Sequence, residues 1–239
     1  MRAIVIILVC TLQNGLLCYA QQTLYSDSTL RFDFVPGDKV IFRDNFRNDG
    51  PGHFPSRWHL DPCNSATELN DPEEYFWQIQ KRNDTTCLVC NEMRKYLEPN
   101  MSSREYLPDS FMIEFDFILG NSHACPELFI TPQMLNKNDT CYKVTFHMQH
   151  GSIDLESGHL SSSRPELERN YPSAFNYQGW HHFILLYRGK HIYGYLDHYL
   201  LLSKSDCKFI PLRFSLGCLG PVRYKNVSVT ANHVTSNFN

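Results

Sequence analysis

No stretch of the 239-residue sequence gathers five or six charges of one sign, and 22 Lys and Arg stand against 25 Asp and Glu. A strongly basic nucleic-acid surface and an acidic disordered tail are both excluded by that balance. Long apolar runs are missing as well: past the first twenty residues, no segment reaches the roughly 18 apolar residues that a spanning helix needs. Helical periodicity is confined to 91–97 and 165–170, each long enough for one short turn of helix and neither an architectural element. Alternating βα units are absent, which removes a Rossmann fold or a TIM barrel. There is no 20–50-residue repeat and no low-complexity linker, so the chain reads as one unit, within the roughly 250 residues that an all-β domain can reach. HExxH, Gly-x-Ser-x-Gly and a second CxxC are likewise absent.

What is present begins with a targeting signal. Met1-Arg2, an apolar run over 3–10, polar Gln13 and Asn14, and small residues at Cys18 and Ala20 predict a secretory signal peptide over 1–20. Leu17 stands before Cys18 where a lipoprotein would carry a small residue. The expected location is therefore outside the cytosol, in the extracellular space or a bacterial periplasm or envelope. Removal of the signal takes Cys10 and Cys18 and leaves seven cysteines: Cys63, Cys87, Cys90, Cys125, Cys141, Cys207 and Cys218. In an oxidising compartment these allow up to three bridges with one thiol over, in a pairing that spacing does not fix. Cys207 and Cys218 flank 208–217, which reads as a strand; at about 3.3 Å per residue they stand roughly 30 Å apart and do not pair with each other. Cys87 and Cys90 have CxxC spacing but sit in an extended run without a βαβ context, which favours structural thiols or disulfides over a redox or zinc site. Four sequons mark Asn83, Asn100, Asn138 and Asn226 as glycosylation candidates in a eukaryotic secretory pathway.

The aromatic content is high, with 16 Phe and 13 Tyr. From Asp38 onward short apolar-aromatic runs alternate with polar breaks, at 39–46, 75–81, 111–119, 127–131, 142–149, 152–156, 180–187, 191–202, 209–216 and 224–231. That pattern predicts an all-β, two-sheet antiparallel sandwich whose strands absorb most of the aromatics into a core. One hairpin turns through Arg188-Gly189-Lys190, where Gly189 supplies a positive φ, and a second turns at Asp197-His198.

Gly179-Trp180-His181-His182-Phe183, Tyr193-Gly194-Tyr195-Leu196-Asp197 and Tyr224-Lys225-Asn226-Val227-Ser228-Val229 resemble the C-terminal half of laminin-G-like, concanavalin A-like jelly rolls. The front half, with Phe34 to Phe42, Asn45-Phe46, Phe54-Pro55-Ser56-Arg57-Trp58 and Tyr106 to Asp116, is similar to the lectin-like domain that precedes OmpA-type modules in some bacterial envelope proteins. The resemblance implies a jelly roll over 34–232, which leaves a lead-in over 21–33 and a tail over 233–239; in one respect the sequence departs from the family pattern, since no OmpA-like module is expected after it. It also implies structural roles for Trp58, Trp180, His181 and His182, and a structural calcium at the sandwich rim with no ligand set assigned. No other cofactor is implied.

Retaining glycosidases on this fold carry Glu-x-Asp-x-(x)-Glu on a strand, with the acids on one face. Glu114 and Asp116 match the first two positions, but Ile118 and Leu119 stand where the third acid belongs. The favoured reading of this strand is structural, with outward acids that are solvated or paired. His147 and His150 are three apart, which on a strand points them to opposite faces and disfavours a shared metal. The expected function is a non-catalytic binding module for a glycan or an extracellular protein. The alternatives are a glycoside hydrolase-like enzyme using Glu114 and Asp116, and a structural envelope or matrix component.

Overall fold

The computed structural model describes residues 39–60, 77–90, 96–103, 105–121, 123–132, 140–147, 151–159, 164–171, 175–176 and 178–231. The signal, lead-in and tail segments, Cys63, Asn138 and His150 lie outside them. Among the described residues there is no helix, and none is therefore long and apolar enough to cross a membrane. The described residues form fifteen strands: β1 Lys39–Asp44, β2 Trp58–Leu60, β3 Trp77–Arg82, β4 Thr85–Cys90, β5 Leu97–Pro99, β6 Ser110–Leu119, β7 Cys125–Thr131, β8 Thr140–His147, β9 Ser152–His159, β10 Arg164–Asn170, β11 His181–Arg188, β12 His191–Leu196, β13 Tyr199–Lys204, β14 Arg213–Leu219 and β15 Val222–Ala231.

All pairings are antiparallel. The first sheet has eight strands in the order β13-β12-β11-β6-β15-β4-β3, with β1 also on β15; the second has seven in the order β10-β9-β8-β7-β14-β5-β2. Alternation explains the layering. On β6, Phe111, Ile113, Phe115 and Phe117 are fully buried while Glu114, Asp116 and Ile118 are half-buried on the other face. The inward aromatics interlock across the two sheets: Phe117 of β6 lies 4.8 Å from Phe146 of β8, and Phe146 lies 4.9 Å from Phe183 of β11. Trp58 is buried and donates its indole N–H to Asp44 at 2.9 Å, the structural role expected of it.

Two local features depart from the sequence reading. The segment over 165–170 lies within strand β10, not a helical turn. Pro165 is tolerated because β10 is the edge of its sheet and the register shifts between Pro165 and Leu167. The run over 209–216 starts later, at Arg213, because Pro211 has no N–H for a ladder; Leu212 instead donates to Thr131 O at 2.7 Å. The run over 191–202 divides into β12 and β13 through Asp197 and His198, both at positive φ, as the expected second turn requires. The Gly189 turn forms as read, with φ +56°.

Edge strands need cover against stray pairing. Glu166 of β10 bridges to Lys204 of β13 at 3.1 Å and to Lys208 at 3.2 Å, tying the open edge of one sheet to that of the other. On the opposite side a disulfide joins Cys90 of β4 to Cys218 of β14 through the core. Cys87, three residues earlier on the same strand, points to the other face and keeps a free thiol.

Candidate functional site

Each sheet has an outward face, and both carry chemistry. On the first sheet, Glu114 and Asp116 do share the outward face of β6, opposite Ser228, Lys225 and His182 of the neighbouring strands. A bulge in β15 puts Asn226 at positive φ beside them. Asp116 receives His182 Nδ1 at 2.7 Å and Asn226 Nδ2 at 2.7 Å, with Lys225 Nζ at 3.9 Å. Glu114 accepts the Ser228 hydroxyl at 2.5 Å and faces His182 Nε2 at 3.8 Å. Lys225 lies over the half-buried Trp180 ring at 4.1 Å, so this tryptophan belongs to the surface cluster and not to the core. Asp197 closes the array, accepting His181 Nδ1 at 2.6 Å and the His182 backbone N–H at 2.9 Å.

The electrostatics follow from these contacts. Burial acts to raise the Asp116 carboxyl, but hydrogen bonds from His182 and Asn226 and the nearby charges outweigh it and hold it below the usual carboxylate range. Asp197 is likewise held low: burial opposes, and the bonds from His181 and the His182 backbone prevail. The hydrogen bond to Asp116 raises His182, against burial. Asp116 and Asp197 are thus held as the ionised partners of histidines, and neither is poised as a protonated acid.

The sign of each shift defines a window. A histidine raised on folding contributes stability that is complete below about pH 6.5, its unfolded value, and is lost as pH rises through the folded pKa; the lowered aspartates contribute above about pH 4 and lose it as pH falls. The cluster is fully paired between those limits. In NMR titrations, the His182 imidazole, assigned by its loss in His182→Gln, is expected to titrate above 6.5 and to move down in Asp116→Asn. A midpoint unmoved by Asp116→Asn contradicts the pairing.

The second sheet has a different outward face. Its registers set up two cross-strand rows: Ser215, Phe129, Lys143 and Glu156 in one, and Gly217, Glu127, Thr145 and Asp154 in the next. Glu127 is 2 % exposed, Thr145 1 %, Asp154 7 % and Glu156 8 %, although they point away from the core. Lys143 Nζ stands 3.0 Å from Glu156 Oε1 and 3.6 Å from Glu127 Oε1, a partner for each carboxylate. Thr145 donates to Glu156 at 3.1 Å, and His147 Nε2 lies 3.2 Å from Asp154. Burial, with Glu168 and Glu156 nearby, raises the Asp154 carboxyl despite the opposing effect of His147. At one end the Tyr96 ring lies on Gly217 and 4.4 Å from Phe129. A Cβ at Gly217 would stand 2.3 Å from that ring, so the aromatic pair requires glycine there.

The sequence reading missed this face. Ser152, Asp154 and Glu156 have the same one-face spacing on β9 that drew attention to Glu114 and Asp116 on β6, and the sequence signal Ser-x-Asp-x-Glu was available. Of the glycosylation candidates, Asn83 lies at a hairpin tip, Asn100 in a loop after β5 and Asn226 on the first sheet's face. The resemblance implies calcium, but among the described residues no group of three or more His, Cys, Asp or Glu side chains comes together to hold a metal ion.

No protein-family model matches the chain, and no curated protein matches its sequence. Its fold does match solved structures. The endo-β-1,3-glucanase from Pyrococcus furiosus superposes with a TM-score of 0.56 at 12% identity, over 82% of this chain and 97% of that one. The carbohydrate recognition domain of Emp47p gives 0.55 at 10% identity, over 83% and 100%. The carbohydrate binding module CBM66 from Bacillus subtilis gives 0.51 at 14% identity, over 73% and 96%. With its two antiparallel sheets and no helix among the described residues, the chain has the concanavalin A-like jelly-roll fold that these proteins share.

Proposed function

We propose that the protein is a secreted, non-catalytic module that binds a glycan on the outward face of the second sheet. One observation carries this reading: two adjacent rows of low-exposure polar side chains run across four strands, with an aromatic pair at one end. A sugar needs donors and acceptors at close spacing for its hydroxyls and an apolar surface for its C–H groups. Lys143 donates, Glu127, Glu156 and Asp154 accept, and Thr145 and Ser215 do both, while the Tyr96 ring, packed on the buried Phe129, bounds the rows with an apolar edge. Because the charges are already paired with one another, the face is held in place before any ligand arrives. The fold neighbours include a carbohydrate recognition domain and a carbohydrate binding module, which is consistent with this use of the sandwich.

The enzymatic alternative moves from Glu114 and Asp116 to β9, where Asp154 and Glu156 fit the last two acids of Glu-x-Asp-x-(x)-Glu. Ser152 occupies the place of the first acid and is no substitute for a carboxylate nucleophile in that chemistry. That substitution supports binding over cleavage.

A glycan array probed with the secreted chain tests the proposal, followed by calorimetry on the best sugar. Lys143→Ala and Glu156→Gln are each expected to weaken binding by about tenfold or more, the loss that accompanies a missing hydrogen bond to a charged group. Asp116→Asn, on the other sheet, is expected to leave it unchanged. Binding that follows Asp116 and ignores Lys143, or an array with no binder, overturns the assignment; the second result directs the search to an extracellular protein partner.

A further inference from the structure

The three described sequons are not equivalent. Asn100 is exposed but its amide is engaged: its Nδ2 donates to Ser56 O at 3.3 Å and Trp58 O at 3.0 Å, and its Oδ1 lies 2.9 Å from His59 Nδ1. It therefore ties the chain before β2, and β2 itself, to the chain after β5. Attachment of a sugar to Nδ2 replaces one of its two N–H groups, so a glycan there removes one of those two bonds. Asn226 Nδ2 donates to Asp116 at 2.7 Å, and its residue sits in a strand flanked on both sides by others, so a sugar there would lie directly on the Asp116 and His182 cluster.

Asn83 is exposed like the other two, and differs from them in its place in the fold and in the contacts of its amide. It occupies the two-residue turn between β3 and β4, where Arg82 pairs with Thr85. It is exposed, as are Arg82 and Asp84 on either side. Its φ of 55° points the residue out of the ladder in the left-handed region that Asn tolerates better than most residues. Among the described residues its side-chain amide has no hydrogen-bond partner, so no bond among them is lost when one N–H is replaced. β3 is the edge of its sheet, and Ile79 on it is already covered by the loop at Gly52 and His53. A bulky polar group at the tip would shield the remaining end of that edge.

We infer that Asn83 is an N-glycan acceptor of this protein, and that Asn100 and Asn226 are left unmodified in the folded, secreted molecule. The inference rests on the secretory reading of residues 1–20, not on the glycan-binding face. The donor is a lipid-diphosphate-linked oligosaccharide. A bond forms between Asn83 Nδ2 and C1 of the first sugar, the bond from C1 to the diphosphate breaks, the lipid diphosphate leaves, and one amide proton is released. The acceptor is Asn83-Asp84-Thr85, with Thr85 supplying the hydroxyl that the sequon requires.

The test uses the full chain expressed in a eukaryotic secretory cell. Protein from the medium is treated with peptide-N-glycosidase in heavy-oxygen water, which converts each formerly glycosylated Asn to labelled Asp, and is mapped by mass spectrometry. Label is expected at Asn83 and not at Asn100 or Asn226. Asn83→Gln, an exposed turn change, is expected to be secreted with one glycan fewer on a gel. Secreted protein with Asn83 bare, or with label at Asn100 or Asn226, overturns the site assignment alone. Protein retained in the cytosol with every sequon bare overturns the secretory reading on which it rests, while leaving sugar binding by the refolded chain to be measured separately.

Discussion

Replacing Cys90 and Cys218 together by alanine is expected to lower the unfolding free energy by about 2–5 kcal/mol. The bridge spans 128 residues of sequence, so in the chain-entropy account it restricts the unfolded ensemble more than a short loop does. Its native position adds a second contribution. Cys90 and Cys218 are both fully buried, one in each sheet, and removal of both sulfurs leaves a gap between layers packed around Trp77, Phe115 and Tyr224. Against a total stability of about 5–15 kcal/mol for a typical domain, this is a large share. For a chain of this size it corresponds to about 5–15 °C in melting temperature. Cys87→Ala is the internal control: it removes a free thiol on the other face of the same strand and is expected to cost under about 1 kcal/mol. Thermal melts of both variants, without reductant, check the pair of expectations. A double mutant that melts with the wild type would mean that the sheets are held by packing alone.

That bridge also shows where sequence reading ends. Cys218 does not pair with Cys207, as expected, although the segment between them is strand only from Arg213 and not over the whole of 208–217; nothing in the spacing selects Cys90 as its partner. The pairing depends on β4 and β14 facing each other across the core, a fact of layer order and not of local pattern. Strands with strict alternation were legible: β6 declares its inward Phe and Ile and its outward acids residue by residue, and the β11 to β13 hairpins follow from Gly189 and from Asp197-His198. The three-residue strands β2 and β5 were not, because a segment with a single buried apolar anchor such as Trp58 or Leu97 has no period to detect. β10 was misread because Pro165, Glu166 and Glu168 are poor strand formers, accepted at an edge where pairing is on one side only. The candidate face was hidden for a related reason. Outward Thr145, Asp154 and Glu156 look like the solvent side of a half-buried sheet, and only their low exposure in the folded chain separates a lined surface from a wet one.

Glu98→Ala is expected to cost about 3–5 kcal/mol, because it strands a buried guanidinium. Glu98 is 2 % exposed and Arg213 7 %. They form a two-pronged pair, Arg213 Nε to Glu98 Oε1 at 2.5 Å and Nη2 to Oε2, between β5 and β14. The Tyr106 hydroxyl bridges the same corner: it donates to Phe214 O at 3.0 Å and receives the Phe214 N–H at 2.9 Å, with Glu98 Oε1 at 3.4 Å. His59 Nε2 lies 3.6 Å from Glu98, whose hydrogen bond raises the His59 pKa against burial. The asymmetry of buried ion pairs provides the decisive comparison. Glu98→Leu combined with Arg213→Met removes both charges and is expected to restore most of the loss, since neither charge then remains unpaired. Denaturant titrations of the single and double variants measure the difference, and NMR titration of His59 should show its midpoint falling in Glu98→Ala. A single variant as stable as the double would mean that water reaches Arg213 and compensates it. The pair also bears on recognition: β5 follows directly on Tyr96, whose ring covers Gly217 beside Phe129 and Glu127. In the proposed glycan-binding role, a loosened β5 is expected to weaken binding at that end of the face in proportion to the stability lost, whereas Lys143→Ala is expected to weaken it with the fold intact.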